Sequence, residues 1–281
     1  MINTLIKRIT RLLSLGVMIL SIGYSALLPV DKTLINMKLV NDYNDIYALA
    51  ITKDTSNWIQ AWLYTVGGTA IDTDFNLVQI ANITNSYILP VDLESKQSTT
   101  RALIFLSTNV GLTRIVSLSL NNQPISLSTA TEVLSLLPSA NLVYPPQIIP
   151  DSATEDFLVL PFASSVALYK YTPATPSLTF LRTETVPFSN QTVRQVLPFK
   201  GFMVVITENN LTPPPVGYAH FIALGVNKEF ATINLSSIDG VYLTYDPATQ
   251  QTLLKTASDP VGIEVQNAPM PYGVIGMQSI Q

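Results

Sequence analysis

Residues 196–235 read VLPFKGFMVVITENNLTPPPVGYAHFIALGVNKEFATINL, and this stretch predicts the fold. An unbroken apolar run, Phe202–Ile206, is followed by a turn-rich insert at 207–217, a second run at Tyr218–Leu224 and an alternating segment at Phe230–Leu235. Short apolar or alternating runs bounded by Gly, Pro and Asn are typical of β-strands. The stretch therefore predicts one small antiparallel sheet.

The rest of the chain resembles looser copies of this unit, and helical patterns are almost absent. Dense apolar runs begin at Ile46, Ala102, Phe157, Phe202 and Val241. They recur roughly every 40 to 55 residues, an interval typical of propeller blades. We predict an all-β chain that forms a small β-propeller of about five blades, each with three or four antiparallel strands. The alternative is a β-sandwich or jelly roll, in one domain or in two domains divided near Pro138.

The composition restricts the functional classes. Charged residues make up 12% of the 281 residues, the net charge is −4 and there is no cysteine. A chain without a basic patch is poorly suited to nucleic acid, and one without cysteine forms neither disulfides nor thiolate metal sites. A weakly charged surface and a mean hydropathy of +0.33 favour a protein packed against other subunits or exposed outside a cell.

The first 30 residues resemble an export segment. Lys7, Arg8 and Arg11 precede an apolar stretch at 12–30, which is the order found in signal peptides and is also long enough to span a bilayer. Cleavage before Ala26 and retention as a membrane anchor are both consistent with the pattern. Either leaves residues 31–281 outside the cytoplasm, and a mitochondrial presequence is the alternative. We therefore divide the chain into a signal peptide or membrane-anchoring hydrophobic helix (1–30), a connector (31–44) and a propeller-like domain (45–281).

Three aspartates lie at or near the starts of predicted strands. Asp45 precedes Ile46, Asp156 precedes Phe157, and Asp239 lies slightly further ahead of its strand. Equivalent positions in a propeller converge on one mouth of the channel, so these carboxylates resemble the acidic trio of five-bladed glycoside hydrolases. The competing interpretation is that aspartate caps local backbone amides where strands begin. We favour that interpretation and assign the trio only to the alternative enzymatic function.

Metal and cofactor signals are weak. Asp72–Asn76 has the first spacings of a calcium loop, but Leu77 and Ile83 occupy the positions that need glycine and glutamate. His220, the single histidine, is interpreted as a packed strand residue. We therefore predict neither a metal nor a cofactor.

Four Asn-x-Ser/Thr sequons begin at Asn82, Asn190, Asn210 and Asn234, and they matter if the chain is exported. Asn210 is the best candidate, because it lies in the proline-rich insert. Asn234 is the worst, because it lies in a predicted strand.

The sequence thus favours a non-catalytic interaction module outside a membrane. We expect it to act as a structural subunit of a larger assembly, with other protein subunits as its partners. Residues 12–30, if they are retained, would also contact the membrane. The alternatives are a carbohydrate-active propeller or a glycan-binding lectin that uses tyrosines on or beside the strands. Those tyrosines are Tyr64, Tyr87, Tyr144, Tyr169, Tyr171, Tyr218, Tyr242 and Tyr245.

Overall fold

The computed structural model describes thirteen ranges of the chain and shows five antiparallel sheets in them. The described residues are 28–41, 46–91, 100–122, 125–134, 140–152, 154–185, 190–199, 202–209, 216–224, 228–235, 237–246, 251–257 and 261–264. Four sheets have four strands and one has three. The prediction of an all-β chain built from successive small antiparallel sheets is confirmed.

The strands follow one another along the chain with short connections. Those of the first two sheets are β1 (Lys32–Asn41), β2 (Ile46–Asp54), β3 (Trp58–Thr65), β4 (Ala70–Gln79), β5 (Ile83–Val91), β6 (Thr100–Thr108), β7 (Gly111–Asn122) and β8 (Ile125–Leu134). The other three sheets contain β9 (Gln147–Pro150), β10 (Asp156–Phe162), β11 (Ser165–Thr172), β12 (Ser177–Thr185), β13 (Gln191–Phe199), β14 (Phe202–Asn209), β15 (Val216–Ala223), β16 (Lys228–Leu235), β17 (Tyr242–Asp246), β18 (Gln251–Lys255) and β19 (Ile263–Glu264).

Every sheet is a meander, since neighbouring strands in each sheet are consecutive in sequence. The second strands β6, β10 and β14 are almost continuous apolar runs buried along nearly their whole length, whereas β2 is buried over five of its nine residues. Continuous apolar runs are expected where both faces of a strand are covered. In sheets β1–β4 and β9–β12 the last strand has no buried residue among those whose burial is described, so exposure rises toward that edge.

Contact between residues divides the chain into two compact units, Met1–Ser139 and Ala140–Gln281. In the first unit, sheet β1–β4 packs on sheet β5–β8, with β1 beside β5 and β4 beside β8. Its core includes Leu49, Ile51 and Leu63 from one sheet and Ile104 and Val116 from the other, all with no exposed surface. Burial of each such side chain contributes about 1.5–3 kcal/mol.

The second unit has two cores, one on each face of sheet β13–β16. Met203 and Val205 pack toward Val159 and Leu168 of sheet β9–β12. On the opposite face, Phe202, Val204 and Phe221 pack with Leu254 and Val241 from the region of the three-stranded sheet. Because alternate residues of a strand point to opposite faces, the single run Phe202–Ile206 supplies both cores.

Arg182 of β12 forms an additional link between two sheets of the second unit. Its Nη1 and Nη2 donate to the carbonyl oxygens of Leu224 and Ala223, at 3.0 and 2.7 Å. Its Nε pairs with Glu184 on its own strand. The guanidinium therefore fixes the end of β12 to the neighbouring sheet.

Residues 32–41 of the segment interpreted as a connector form β1 of the first sheet. One predicted strand end needs correction. Thr207, assigned to the turn-rich insert, belongs to β14, because that strand continues to Asn209. The boundary between the compact units falls between Ser139 and Ala140.

The predicted N-terminal helix and most of the 1–30 segment lie outside the described residues, which begin at Leu28. In the ranges that are described, no helix is long and apolar enough to cross a membrane.

Substitution of Gly217 tests the packing at the start of β15. A Cβ added at Gly217 would collide with Cγ2 of Ile238 and lie 3.3 Å from Cβ of Leu235. We expect Gly217→Ala to lower the free energy of unfolding by about 1–3 kcal/mol, the usual cost of overpacking. Urea titration measures the change.

Gly67→Ala is the matched control, since the nearest atom to its added Cβ is 3.7 Å away, in ordinary contact. Its free energy of unfolding should stay within about 0.5 kcal/mol of the wild-type value. An equal effect of the two substitutions would contradict the packing described here.

Candidate functional site

A threonine near the end of the second strand recurs in three of the sheets. Thr52, Thr108 and Thr207 each lie opposite a residue of the first strand that is followed at once by a β-bulge. All three are buried, with at most 8% of the surface exposed. This threonine-and-bulge pair is a structural repeat that the sequence pattern of apolar runs did not reveal, because only strand pairing identifies the bulge.

In sheet β13–β16 the repeated threonine belongs to a polar row that crosses all four strands. We call this the His220 row, and its members are Gln191, Thr207, His220 and Thr232. The Thr207 hydroxyl donates to Gln191 Oε1 at 2.5 Å, and His220 Nε2 lies 2.9 Å from Thr207 Oγ1 and 3.0 Å from Gln191 Oε1. His220 Nδ1 lies 3.2 Å from Thr232 Oγ1.

These contacts determine the tautomer of His220. An amide oxygen can only accept a hydrogen bond, so His220 Nε2 carries the proton and donates toward Gln191. Nδ1 then accepts from the Thr232 hydroxyl. His220 is 1% exposed and Thr207 is fully buried, so this hydroxyl–imidazole pair is closed to a substrate and acts as a fastening between strands. The interpretation of His220 as a packed strand residue agrees with its position in β15.

Replacement of Thr207 tests the row. Thr207→Val keeps the side-chain volume but leaves Gln191 Oε1 and His220 with fewer partners in a buried place. We expect the free energy of unfolding to fall by about 1–3 kcal/mol, the cost of an unsatisfied buried polar group. Chemical denaturation monitored by circular dichroism measures it.

Thr52→Val is the matched control at the equivalent position of the first sheet. The Thr52 hydroxyl is fully buried and has no hydrogen-bond partner among the described residues. Its replacement by a methyl group should be neutral or stabilising. The assignment of the His220 row fails if Thr52→Val costs as much as Thr207→Val.

A second polar cluster links the four strands of sheet β1–β4 at the end where β1 begins. Lys32 Nζ lies 2.8 Å from Asp74 Oδ1 and 2.7 Å from Gln60 Oε1, with carboxylate oxygens of Asp31 and Asp54 at 3.8 and 4.0 Å. Gln60 Nε2 in turn donates to Asn76 Oδ1 at 2.8 Å. One lysine thus contacts side chains from the other three strands of its sheet.

The polar residues of the calcium-like stretch Asp72–Asn76 bind other side chains and a backbone amide. The five residues lie in β4, an irregular strand in which Asp74 has φ 55°. Asp74 binds the Lys32 ammonium, and Asp72 Oδ2 accepts from the Leu127 amide of the neighbouring sheet at 3.0 Å. The described residues contain no group of three or more histidines or carboxylates that could hold a metal ion.

Two lysines of β1 have pKa values displaced in opposite directions. Partial burial opposes the charge of Lys32, but its hydrogen bond to Asp74 and the negative charges of Asp74, Asp31 and Asp54 outweigh this and raise the pKa of Lys32. Desolvation by surrounding protein lowers the pKa of Lys38, although that side chain is exposed. Because the pKa of Lys32 is raised by folding, its ion pairs stabilise fully below the unfolded pKa of about 10.4, and this contribution is lost as pH rises through the folded pKa.

Competitive labelling with acetic anhydride near pH 8 tests the opposite shifts in the pKa values of Lys32 and Lys38. Only the neutral amine reacts, and each unit of pKa difference changes its fraction about tenfold. We expect Lys38 to be acetylated faster than Lys32, measured by mass spectrometry of peptides. The two rates should converge in urea, and equal rates in the folded protein would contradict the assignment.

Of the predicted acidic trio, the two aspartates that the structure describes, Asp156 and Asp239, lie at or before the starts of different strands of their sheets. Asp45 lies outside the described residues. Asp156 begins β10, the second strand of its sheet, and is 2% exposed. Asp239 is exposed in the turn before β17, the first described strand of its sheet. Since neighbouring strands are antiparallel, the start of a first strand and the start of a second strand lie at opposite ends of a sheet.

The environment of Asp239 is that of a turn residue. Its amide donates to Ser237 Oγ at 3.0 Å, and its carbonyl oxygen accepts from the Ala257 amide at 3.0 Å. Gly240, which follows it, has φ 60°. These contacts favour the interpretation in which aspartate shapes the local backbone.

The tyrosines considered for glycan stacking divide into buried and accessible ones. Tyr64, Tyr169 and Tyr171 are at most 5% exposed and therefore cannot present a ring face to a sugar. Burial also raises the pKa of Tyr169. Tyr242 is 45% exposed, whereas the side chain of Tyr245 lies outside the described residues.

No family model and no curated protein matches the sequence. Among solved structures, the chain is similar to the WD40 domain of SCAP from fission yeast, with 13% identity and a TM-score of 0.36 over 81% of this chain. This chain spans 58% of the length of that structure. It is also similar to a glycosyl hydrolase from Bacteroides ovatus, with 8% identity and a TM-score of 0.41 over 82% of this chain and 83% of the other. Both TM-scores are below 0.5, so we base neither fold nor function on these likenesses.

Proposed function

We propose that the chain is a non-catalytic interaction module whose five sheets form a small propeller. It is held outside a membrane as a subunit of a larger assembly. The partner is another protein with an apolar, weakly charged face, which suits a chain with 12% charged residues. The observation that carries the proposal is the surface of β12.

Strand β12 presents two adjacent apolar side chains at a sheet edge. Phe180 is 55% exposed and Leu181 is 39% exposed. Single exposed apolar residues are ordinary, whereas a contiguous apolar surface marks an interaction site. Within the described residues β12 pairs on one side only, with β11, so its other edge offers backbone groups to a partner strand.

The exposed pair is held in a fixed position. The Phe180 ring contacts the buried Tyr169 ring edge-on at 5.4 Å between centroids. Arg182 anchors the strand to carbonyl oxygens of the next sheet. Leu181 is the bulged residue between Phe180 and Arg182, so the bulge directs it outward. A surface ordered before binding loses little conformational entropy when a partner docks.

The enzymatic and lectin alternatives have less support. Asp156 and Asp239 differ in burial and in their place within a sheet. Several tyrosines that a lectin would use are buried.

Native mass spectrometry of the protein from its own source, in mild detergent, tests the proposal together with a Phe180→Glu variant. We expect a heavy complex for the wild type. Placing a charge in the docking surface should weaken the complex by about tenfold or more, since each tenfold corresponds to about 1.4 kcal/mol.

Val110→Glu is the control, because Val110 is 62% exposed and belongs to the turn between β6 and β7 rather than to β12. The complex should be unchanged by it. A lone wild-type chain that begins near Ala26 would overturn the assembly role, and a chain that retains Met1 in the complex would support an uncleaved anchor.

A further inference from the structure

We propose that Asn82 and Asn190 are acceptors of N-linked glycans and that Asn234 is not. This inference rests on export of residues 31–281, which is part of the proposed function. It differs from the expectation drawn from sequence, in which Asn210 ranked first. Asn210 lies outside the described residues.

Asn82 lies at the exposed turn that joins β4 to β5. Its φ is 60°, a left-handed conformation that asparagine tolerates better than most residues. The next residue, Ile83, packs against the core of the first unit, while the Thr84 hydroxyl donates to the Ser107 carbonyl oxygen at 3.3 Å. The turn therefore points Ile83 inward and leaves the Asn82 amide at the end of the sheet, where a glycan meets solvent.

Asn190 has the same arrangement in another sheet. It is exposed, has φ 86°, and immediately precedes β13. Gln191, the middle residue of the sequon, is buried in the His220 row. Both asparagines thus stand in an exposed turn directly before the first strand of a four-stranded sheet.

Asn234 is placed differently, although its side chain is also exposed. It lies within β16, paired with Tyr218, and shares a sheet face with Thr232 and His220. Val205, opposite His220, shows that this face packs toward sheet β9–β12. A glycan on Asn234 would stand over a face that the neighbouring sheet covers in part.

The modification is a group transfer to a side-chain amide. The Asn Nδ2 attacks the anomeric carbon of an oligosaccharide carried on a polyprenyl diphosphate. A C–N bond forms, the C–O bond to the diphosphate breaks, Nδ2 gives up one proton, and polyprenyl diphosphate leaves. Bulky polar glycans are tolerated at surface turns of exported proteins.

The test uses the full chain in a eukaryotic secretory cell, in two forms: with its natural N-terminus, and preceded by an added cleavable export signal. An Asn210→Asp background removes the fourth sequon. In the form with the added signal we expect treatment with an N-glycosidase to remove two glycans. Asn82→Asp and Asn190→Asp should each lose one of them, and Asn234→Asp should lose none. Aspartate also tolerates positive φ, so both turns are kept.

The inference is overturned if the form with the added signal carries no glycan on Asn82 or Asn190, or if Asn234→Asp removes one. If only the form with the added signal is modified, the sites are supported and the export step of the proposed function fails. Modification of both forms supports the sites and export together.

Discussion

The constraint on which the structure depends is the burial of the second strand in each four-stranded sheet. A strand such as β14, buried from Phe202 to Glu208, cannot leave its backbone amides and carbonyls unpaired, since an unpaired buried group costs as much as a lost hydrogen bond. It therefore needs a partner strand on each side. It also needs apolar cover on both faces, which the residues of Phe202–Ile206 find in two separate cores.

Polar side chains at the ends of the sheets form hydrogen bonds and ion pairs with one another, which apolar packing alone does not provide. The ends of the sheets contain threonines, amides and charges, and these would be costly to bury without partners. The His220 row and the Lys32 cluster solve the same problem with different chemistry, one with neutral groups and the other with ion pairs. In both cases one residue contacts neighbouring strands at the same end of the sheet, so the cluster fixes the register of a strand as well as satisfying polar atoms.

The functional proposal follows from what this arrangement leaves at the surface. The inner strands are used for packing, so the outer strands and the turns are the parts free to vary. Strand β12 presents Phe180 and Leu181, and the turns before β5 and β13 present asparagines. The proposed docking through an apolar edge suits a weakly charged protein, since it has few charges to contribute to electrostatic steering.

The sequence by itself determined the all-β class, the succession of small antiparallel sheets and most strand positions. Short apolar runs and turn residues are local signals, and they report on strands without knowledge of partners. The runs at Phe157 and Phe202 became β10 and β14. Strand ends were less certain, as Thr207 shows, because a polar residue inside a strand looks like a turn when its partner is unknown.

Only the tertiary structure decided which polar residues meet. Asp74 is close to Lys32 although they lie 42 positions apart, and His220 contacts Gln191 across 29 positions. The aligned aspartates, by contrast, are not equivalent, because Asp156 begins a second strand and Asp239 precedes a first one. The physical reason is that antiparallel pairing and β-bulges set which side chains are neighbours, and neither is encoded in the local pattern of apolar and polar residues.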